Sequence, residues 1–121
     1  MHAQVFKCYK KEDTLKQHPF AVKISRESDE EKKMAHINEF KITQNLNHKN
    51  VVKSVALFDN QFKGEIHQVL EFVEGKEVLD MIAEQKDGHY TEDHAKNLFK
   101  QVLEGIDYLH SQDVAHRDIK P

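Results

Sequence analysis

The chain has 121 residues, 38% hydrophobic, 32% charged and 8% aromatic, the size of one ordinary domain rather than two. Eighteen Lys and Arg against 21 Asp and Glu leave a formal charge of −3, with both signs interspersed, so neither nucleic acid nor a membrane surface is an expected partner. No stretch reaches the ~18 apolar residues of a membrane span and the first twenty residues lack a signal-peptide core; a lone cysteine, Cys8, excludes an intrachain disulfide and points to a reducing cytoplasmic or nuclear setting.

In chain order, residues 3–10 read as a short strand and 11–17 as a polar turn. Phe20, Val22 and Ile24 then alternate with Ala21 and Lys23, which predicts a strand with two distinct faces. Ser28-Asp29-Glu30-Glu31 fits a capping box, with acidic residues where the helix dipole favours them, and predicts a helix to Leu46. On it Ala35, Ile42 and Leu46 fall at i, i+7 and i+11 and predict a buried stripe. Glu39 lies within that stripe, where a carboxylate needs a cationic partner. Residues 51–58 and 66–73 predict two strands joined as a hairpin by Asp59–Gly64. After a polar break at Glu74-Gly75-Lys76 comes a short helix over 77–85. Thr91 caps the strongest helix, Glu92 to Ser111, in which Ala95, Leu98, Phe99, Val102, Ile106 and Leu109 recur at helical spacing. Strands, helix, strands, break, helices predict an α+β fold of two lobes with a hinge near residues 72–76.

The most specific chemical signal is the end of the sequence. Tyr108-Leu109-His110-Ser111 followed by His116-Arg117-Asp118-Ile119-Lys120-Pro121 resembles the long helix and catalytic loop of eukaryotic protein kinases. Ala21-Val22-Lys23 resembles the family's V-A-I-K strand. The run from Glu39 through Leu46, His48, Asn50, Val51 and Val52 resembles its helix C and the turn into the next strand. Leu70-Glu71-Phe72-Val73-Glu74-Gly75 resembles the last small-lobe strand entering the hinge. Order and context match from residue 3 to 121, and Lys120 resembles the serine/threonine branch. The phrasing of V-A-H-R-D-I-K-P and of G-H-Y-T-E-D looks most like calcium/calmodulin-dependent kinases.

The resemblance implies a small β lobe over 3–73, lacking the glycine-rich loop, and a hinge and large-lobe start over 74–121. It implies transfer of the ATP γ-phosphoryl group to protein Ser/Thr hydroxyls, a reaction that needs positioning and charge cancellation more than covalent help. Asp118 would accept the substrate proton and Lys120 would sit near the transferred group, while Arg117 would pair with a phosphorylated activation loop. Val5 would pack on adenine, and the small Ala21 would leave room for its ring. Lys23 would reach the α/β-phosphates and pair with Glu39, sixteen residues later. Leu70 would be the gatekeeper, the backbone of Glu71 and Val73 would bond adenine, and Glu77 would contact ribose or a basic substrate. ATP and Mg2+ are the expected cofactors, with the metal-holding Asn and D-F-G Asp absent from these 121 residues, so inactivity of the chain alone is expected. The alternative is a non-catalytic kinase-like binding or interaction fragment. Two residues depart from the family, Thr43 and Ser54, where it has bulky apolar side chains tying helix C down; they argue against a well-assembled active state. Nine histidines show no metal-ligand spacing, and no metal ligand is expected among them.

Overall fold

The computed structural model describes residues 4–26, 29–85 and 87–120. The alternating run near Phe20 extends two residues further than its apolar core, so that β2 covers Pro19–Arg26. It lies between β1 (Gln4–Tyr9) and β4 (Glu65–Glu71), and β3 (Ser54–Asn60) completes an antiparallel sheet ordered β1-β2-β4-β3. Period two and cross-strand register place Val5, Lys23 and Gln68 in one row, and Ala21 and Leu70 in the next. Near the start of β4, Ile66 is 2% exposed and is the most deeply buried side chain among the described residues. Beside it, buried Glu65 accepts from Arg26 Nε at 3.2 Å and meets His67 Nε2 at 3.1 Å, which compensates the cost of withdrawing a carboxylate from water. These bonds, the His67 one first, hold the Glu65 carboxyl below its ordinary range.

The expected first helix forms as α1, Glu30–Thr43, with Asp29 as its cap accepting from Glu31 N. Its packed face is not the expected one. Ala35, Glu39 and Ile42 are exposed, and the half-buried positions are Lys33, His36, Ile37, Phe40 and Thr43; of the expected stripe only Leu46 is buried, at 6% exposure, and it lies past the end of the helix at Thr43. At 100° per residue these five span about a third of the helix surface, opposite Ala35 and Ile42. The reason is the balance of area against charge. Ile37 and Phe40 together offer more apolar surface than Ala35 and Ile42, and burying them leaves the Glu39 carboxylate in water. The helix packs on β3 and β4.

The chain divides into two compact units. The sheet and α1 make the first, residues 1–47 and 52–73. The second combines residues 74–121 with the loop 48–51. It contains α2 (Val78–Ala83) and α3 (Glu92–Ser111), the latter with the expected bounds. Thr91 Oγ1 accepts from His94 N at 3.3 Å, and Tyr90 stacks on His94 and donates to the Val78 carbonyl at 3.0 Å. On α3, Leu109 and Gly105 are buried. Phe99, Val102 and Leu103 are exposed, Phe99 at 63%. Residues 51–53 are not strand: Val51 makes an isolated bridge with His48, so the chain turns there before β3 begins. The second strand of the hairpin likewise stops at Glu71, and 72–77 run without regular structure. Ala3, Ser28 and Pro121, which the sequence analysis included in elements or motifs, lie outside the described residues.

Candidate functional site

In the first unit the sheet gathers most of the strand-borne candidates. Lys23 stands between Val5 on β1 and Gln68 on β4, and Ala21 is opposite Leu70. Directly opposed residues share a face, so a cation sits on the same sheet surface as a small residue, Ala21, and two apolar ones, Val5 and Leu70. Lys23, Ala21 and Leu70 are half-buried and Val5 is exposed. At the strand exit, Glu71 N donates to the Lys53 carbonyl at 3.0 Å and the Glu71 carboxylate accepts from Lys53 N at 2.8 Å. This double link holds the start of the connector. Among the described residues, no hydrogen bond engages the backbone N–H or C=O of Val73, and its side chain is exposed. A backbone donor and acceptor thus stand ready at Val73 for an external partner.

The expected Lys23–Glu39 pair is not formed. No ion pair within 4 Å joins them, Glu39 is exposed, and α1 packs against β3 and β4, not β2. The rotation that buries Ile37 and Phe40 removes the electrostatic need for such a pair, because a solvated carboxylate requires no cation.

The two residues that depart from the family find each other. Thr43 Oγ1 and Ser54 Oγ are 2.8 Å apart, Gln68 Nε2 donates to Ser54 Oγ at 3.4 Å, and Thr43 Oγ1 reaches the Phe40 carbonyl at 3.4 Å. Ser54 is 5% exposed, so its hydroxyl needs these partners. Sequence reasoning missed Gln68. Its position opposite Lys23 in the pairing of two amphipathic strands was the available signal.

In the second unit, the loop 48–51 is fastened to α3. The His48 ring stacks on Tyr108 with centroids 4.8 Å apart. Asn50 Nδ2 donates to Glu104 Oε2 at 3.1 Å, and Lys49 Nζ lies 2.9 Å from the same oxygen. The Lys49 ammonium, more than any other neighbour, lowers the Glu104 carboxyl from its ordinary value. Gly105 lets this loop come close: a Cβ there would stand 2.9 Å from the Asn50 carbonyl oxygen.

After α3 the chain forms an irregular loop. Arg117 has φ 66°, a left-handed conformation uncommon for a side chain of this size and frequent at functional turns. His116 Nδ1 accepts from Asp118 N at 3.2 Å, and Asp118 Oδ2 lies 3.0 Å from Lys120 Nζ. All three charged side chains, Arg117, Asp118 and Lys120, are exposed. The arrangement presents a carboxylate that can accept a proton with an ammonium beside it. Glu77 caps α2 by backbone geometry without a side-chain cap bond and is exposed.

Two open concavities, one lined by Lys10, Glu12, Asp13, His18 and Phe20 and the other by residues 58–62 with His67, include none of the candidate residues. Among the described residues no group of three or more His, Cys, Asp or Glu could hold a metal ion, and no helix is long and apolar enough to cross a membrane.

The sequence matches the family profile of the protein kinase domain over residues 1–121. It is similar to calcium/calmodulin-dependent protein kinase type IV of Mus musculus, 36% identical over 117 residues, covering 97% of this chain and 23% of the relative. Calcium/calmodulin-dependent protein kinase type 1 of Macrobrachium nipponense is 39% identical over 84 residues, 69% of this chain and 23% of its own. A probable serine/threonine-protein kinase of Dictyostelium discoideum, fhkE, is 39% identical over 85 residues, 70% of this chain and 11% of its own. The chain thus spans about a quarter or less of the length of these relatives.

Proposed function

The chain belongs to the protein kinase family, with serine/threonine kinases as its relatives, and from that premise we propose that it contributes nucleotide-binding and proton-accepting groups to ATP-dependent phosphoryl transfer onto protein Ser/Thr hydroxyls. The observation that carries this reading is the Asp118–Lys120 arrangement: a solvent-facing carboxylate oxygen 3.0 Å from an ammonium, in a loop held by the His116 bond to the Asp118 amide. Asp118 accepts the substrate hydroxyl proton, and Lys120 offsets negative charge on the phosphoryl group in flight.

The nucleotide half of the reading rests on the sheet face. Ala21, Val5 and Leu70 give an apolar surface for a base, Val73 gives it a free backbone donor and acceptor, and Lys23 supplies a cation for phosphates. Glu71 and Glu77 flank the connector to either side of Val73. Mg2+ would neutralise phosphate charge in such a reaction, but the described residues do not assemble ligands for it, so no step here runs through the metal. In this reading the sheet face binds nucleotide, and turnover is tested separately from binding. A small-lobe and hinge assignment for 3–73 and 74–121, and a reducing cytoplasmic setting for the free Cys8, belong to the same proposal.

The test separates binding from turnover. A fluorescent ATP analogue should bind the chain, and Lys23→Met should weaken it about tenfold, the loss of one charge-assisted phosphate contact. Radiolabelled phosphoryl transfer to a basic Ser/Thr peptide should not exceed that of Asp118→Asn. No analogue binding at all would reject the nucleotide half. Transfer above the Asp118→Asn level would reject inactivity of the isolated chain.

A further inference from the structure

Lys7 is the one cation of β1, and the nucleotide reading leaves it without a task. It stands opposite Ala21, and Ala21 stands opposite Leu70, so the three side chains belong to one face of the sheet. The Lys7 ammonium lies 4.4 Å from the centroid of the Phe72 ring and 6.0 Å from that of Tyr9. A ring quadrupole attracts a cation within about 6 Å. Among the described residues Lys7 takes part in no ion pair that would compete. Phe72 follows β4, and β2 separates β4 from β1, so the Lys7 stem and the Phe72 ring meet across β2. Ala21, the smallest side chain of β2, leaves room on that face.

The contact falls where the connector is otherwise thinly held. Glu71 is tied to Lys53, just before β3, by the Glu71 amide and by the Glu71 carboxylate. Phe72, the next residue, is half-buried and carries the Lys7 ammonium on its ring. Glu71 and Phe72 are therefore held from opposite edges of the sheet, the first from the β3 side and the second from β1. Val73 follows directly, exposed and without a hydrogen bond among the described residues. Peptide planes are rigid, so the direction of its backbone groups depends on how firmly the preceding residue is anchored.

We propose that Lys7 is a positioning residue: through the Phe72 ring it straps the connector to β1 and fixes the direction of the Val73 N–H and C=O. Lys7 touches no phosphate in this scheme. It acts on the ring, and through the ring on the backbone that would bond a base. The consequence for nucleotide binding rests on the reading of Val73 given above; the strap itself does not.

The experiment reads connector order and base binding separately in the intact chain. Amide nitrogen relaxation gives the order parameter of Val73. Titrations with adenosine and with tripolyphosphate divide base from phosphate recognition. Lys7→Met keeps an unbranched apolar stem and removes the charge; Lys7→Arg keeps a cation. The Met variant is expected to lower the Val73 order parameter and to weaken adenosine about two- to fivefold, the worth of one cation–π contact near the surface, with tripolyphosphate binding unchanged. The Arg variant is expected to restore both. Phe72→Leu is expected to act as Lys7→Met does, with no added loss when the two are combined, because they break the same contact. An unchanged order parameter in Lys7→Met, or additive losses in the double variant, would overturn the proposal. A loss confined to tripolyphosphate would also overturn it and make Lys7 a phosphate contact. A lowered order parameter in a chain that binds no adenosine would support the strap and reject the reading of Val73 alone.

Discussion

Helices α1 and α3 were both legible as helices, yet neither buries the whole stripe its sequence pattern indicates: on α3 Leu109 is buried and Leu98 and Ile106 are half-buried while Ala95, Phe99 and Val102 are exposed, and on α1 Ala35 and Ile42 are exposed. In α3 the apolar residues cluster on one side, Leu109 is 7% exposed, and the loop 48–51 closes on the helix through Gly105, Glu104 and Tyr108. In α1 apolar and charged residues are spread around the axis, none is fully buried, and two alternative stripes compete. The stripe with Ile37 and Phe40 wins over the one with Ala35 and Ile42. Where one face dominates, periodicity marks the side that is covered, as at Leu98, Ile106 and Leu109; where two are comparable, a few side chains and their hydrogen bonds decide it.

The largest expected effect tests that contrast directly. Leu109→Ala should cost about 3 kcal/mol, the transfer and cavity terms of a buried leucine. Ile42→Ala on α1, at an exposed position, should cost under about 0.5 kcal/mol. Urea midpoints of the two variants would check this, and equal losses would restore Ile42 to a buried stripe and break the comparison.

Gly105→Ala sharpens it further. In an exposed helix interior this change stabilises by about 1 kcal/mol. Here the new methyl would stand 2.9 Å from the Asn50 carbonyl oxygen, a backbone atom with little freedom to withdraw. Overpacking of about 2 to 3 kcal/mol outweighs the propensity gain, so a net loss of about 1 to 2 kcal/mol is expected by denaturation. A gain in stability would show that the loop is not held against α3.

The distribution of what was legible follows the same physics. The order of strands and helices was readable because alternation and 3.6-residue periodicity are local, and β2 and α3 have strong examples of each. The start of β3 was not: Val51 and Val52 look like strand, but the His48–Val51 bridge and the Asn50 and Lys49 contacts to Glu104, 54 and 55 residues away, commit them to a loop. In the candidate site, Ala21, Lys23 and Leu70 share a face as period two requires. The Lys23–Glu39 pair failed because it depended on helix rotation, and rotation was set by residues from three elements at once. Thr43 and Ser54 were visible as departures, but their compensation required knowing that residues eleven apart in sequence come within 2.8 Å.

Caps should ignore the difference between the helices. Asp29 accepts from Glu31 N at 2.9 Å and Thr91 from His94 N at 3.3 Å. Each satisfies one otherwise orphaned first-turn donor. Asp29→Ala and Thr91→Ala should each cost about 1 kcal/mol, seen as faster amide exchange in the first turn of the respective helix. A much larger loss in α1 than in α3 would mean that α1 depends on its cap for lack of packing, extending the contrast to local stability.

The smallest effect concerns charge, and its sign follows from the Glu104 contacts. The Lys49 ammonium at 2.9 Å and the Asn50 amide at 3.1 Å favour the ionised carboxylate, so the folded-state pKa lies below the ordinary 4.5. An unfolded glutamate takes up its proton first as pH falls. The stabilisation is therefore complete above about 4.5 and declines as pH falls through that value toward the lower folded one. Lys49 is largely exposed, so salt should shrink the effect. Glu65, lowered chiefly by its bond to His67 and then by Arg26, loses its contribution in the same acidic window. Stability measured from about pH 6 to about pH 3 should thus slope downward. Glu104→Gln should reduce that slope while retaining an acceptor for Asn50, and Glu65→Gln should reduce it separately. The two reductions should add, since Glu104 lies in the second unit and Glu65 in the first and they share no partner. A Glu104→Gln chain with an unaltered slope would remove the charge from the loop–α3 contact and leave Gly105 and the His48–Tyr108 stack to hold it.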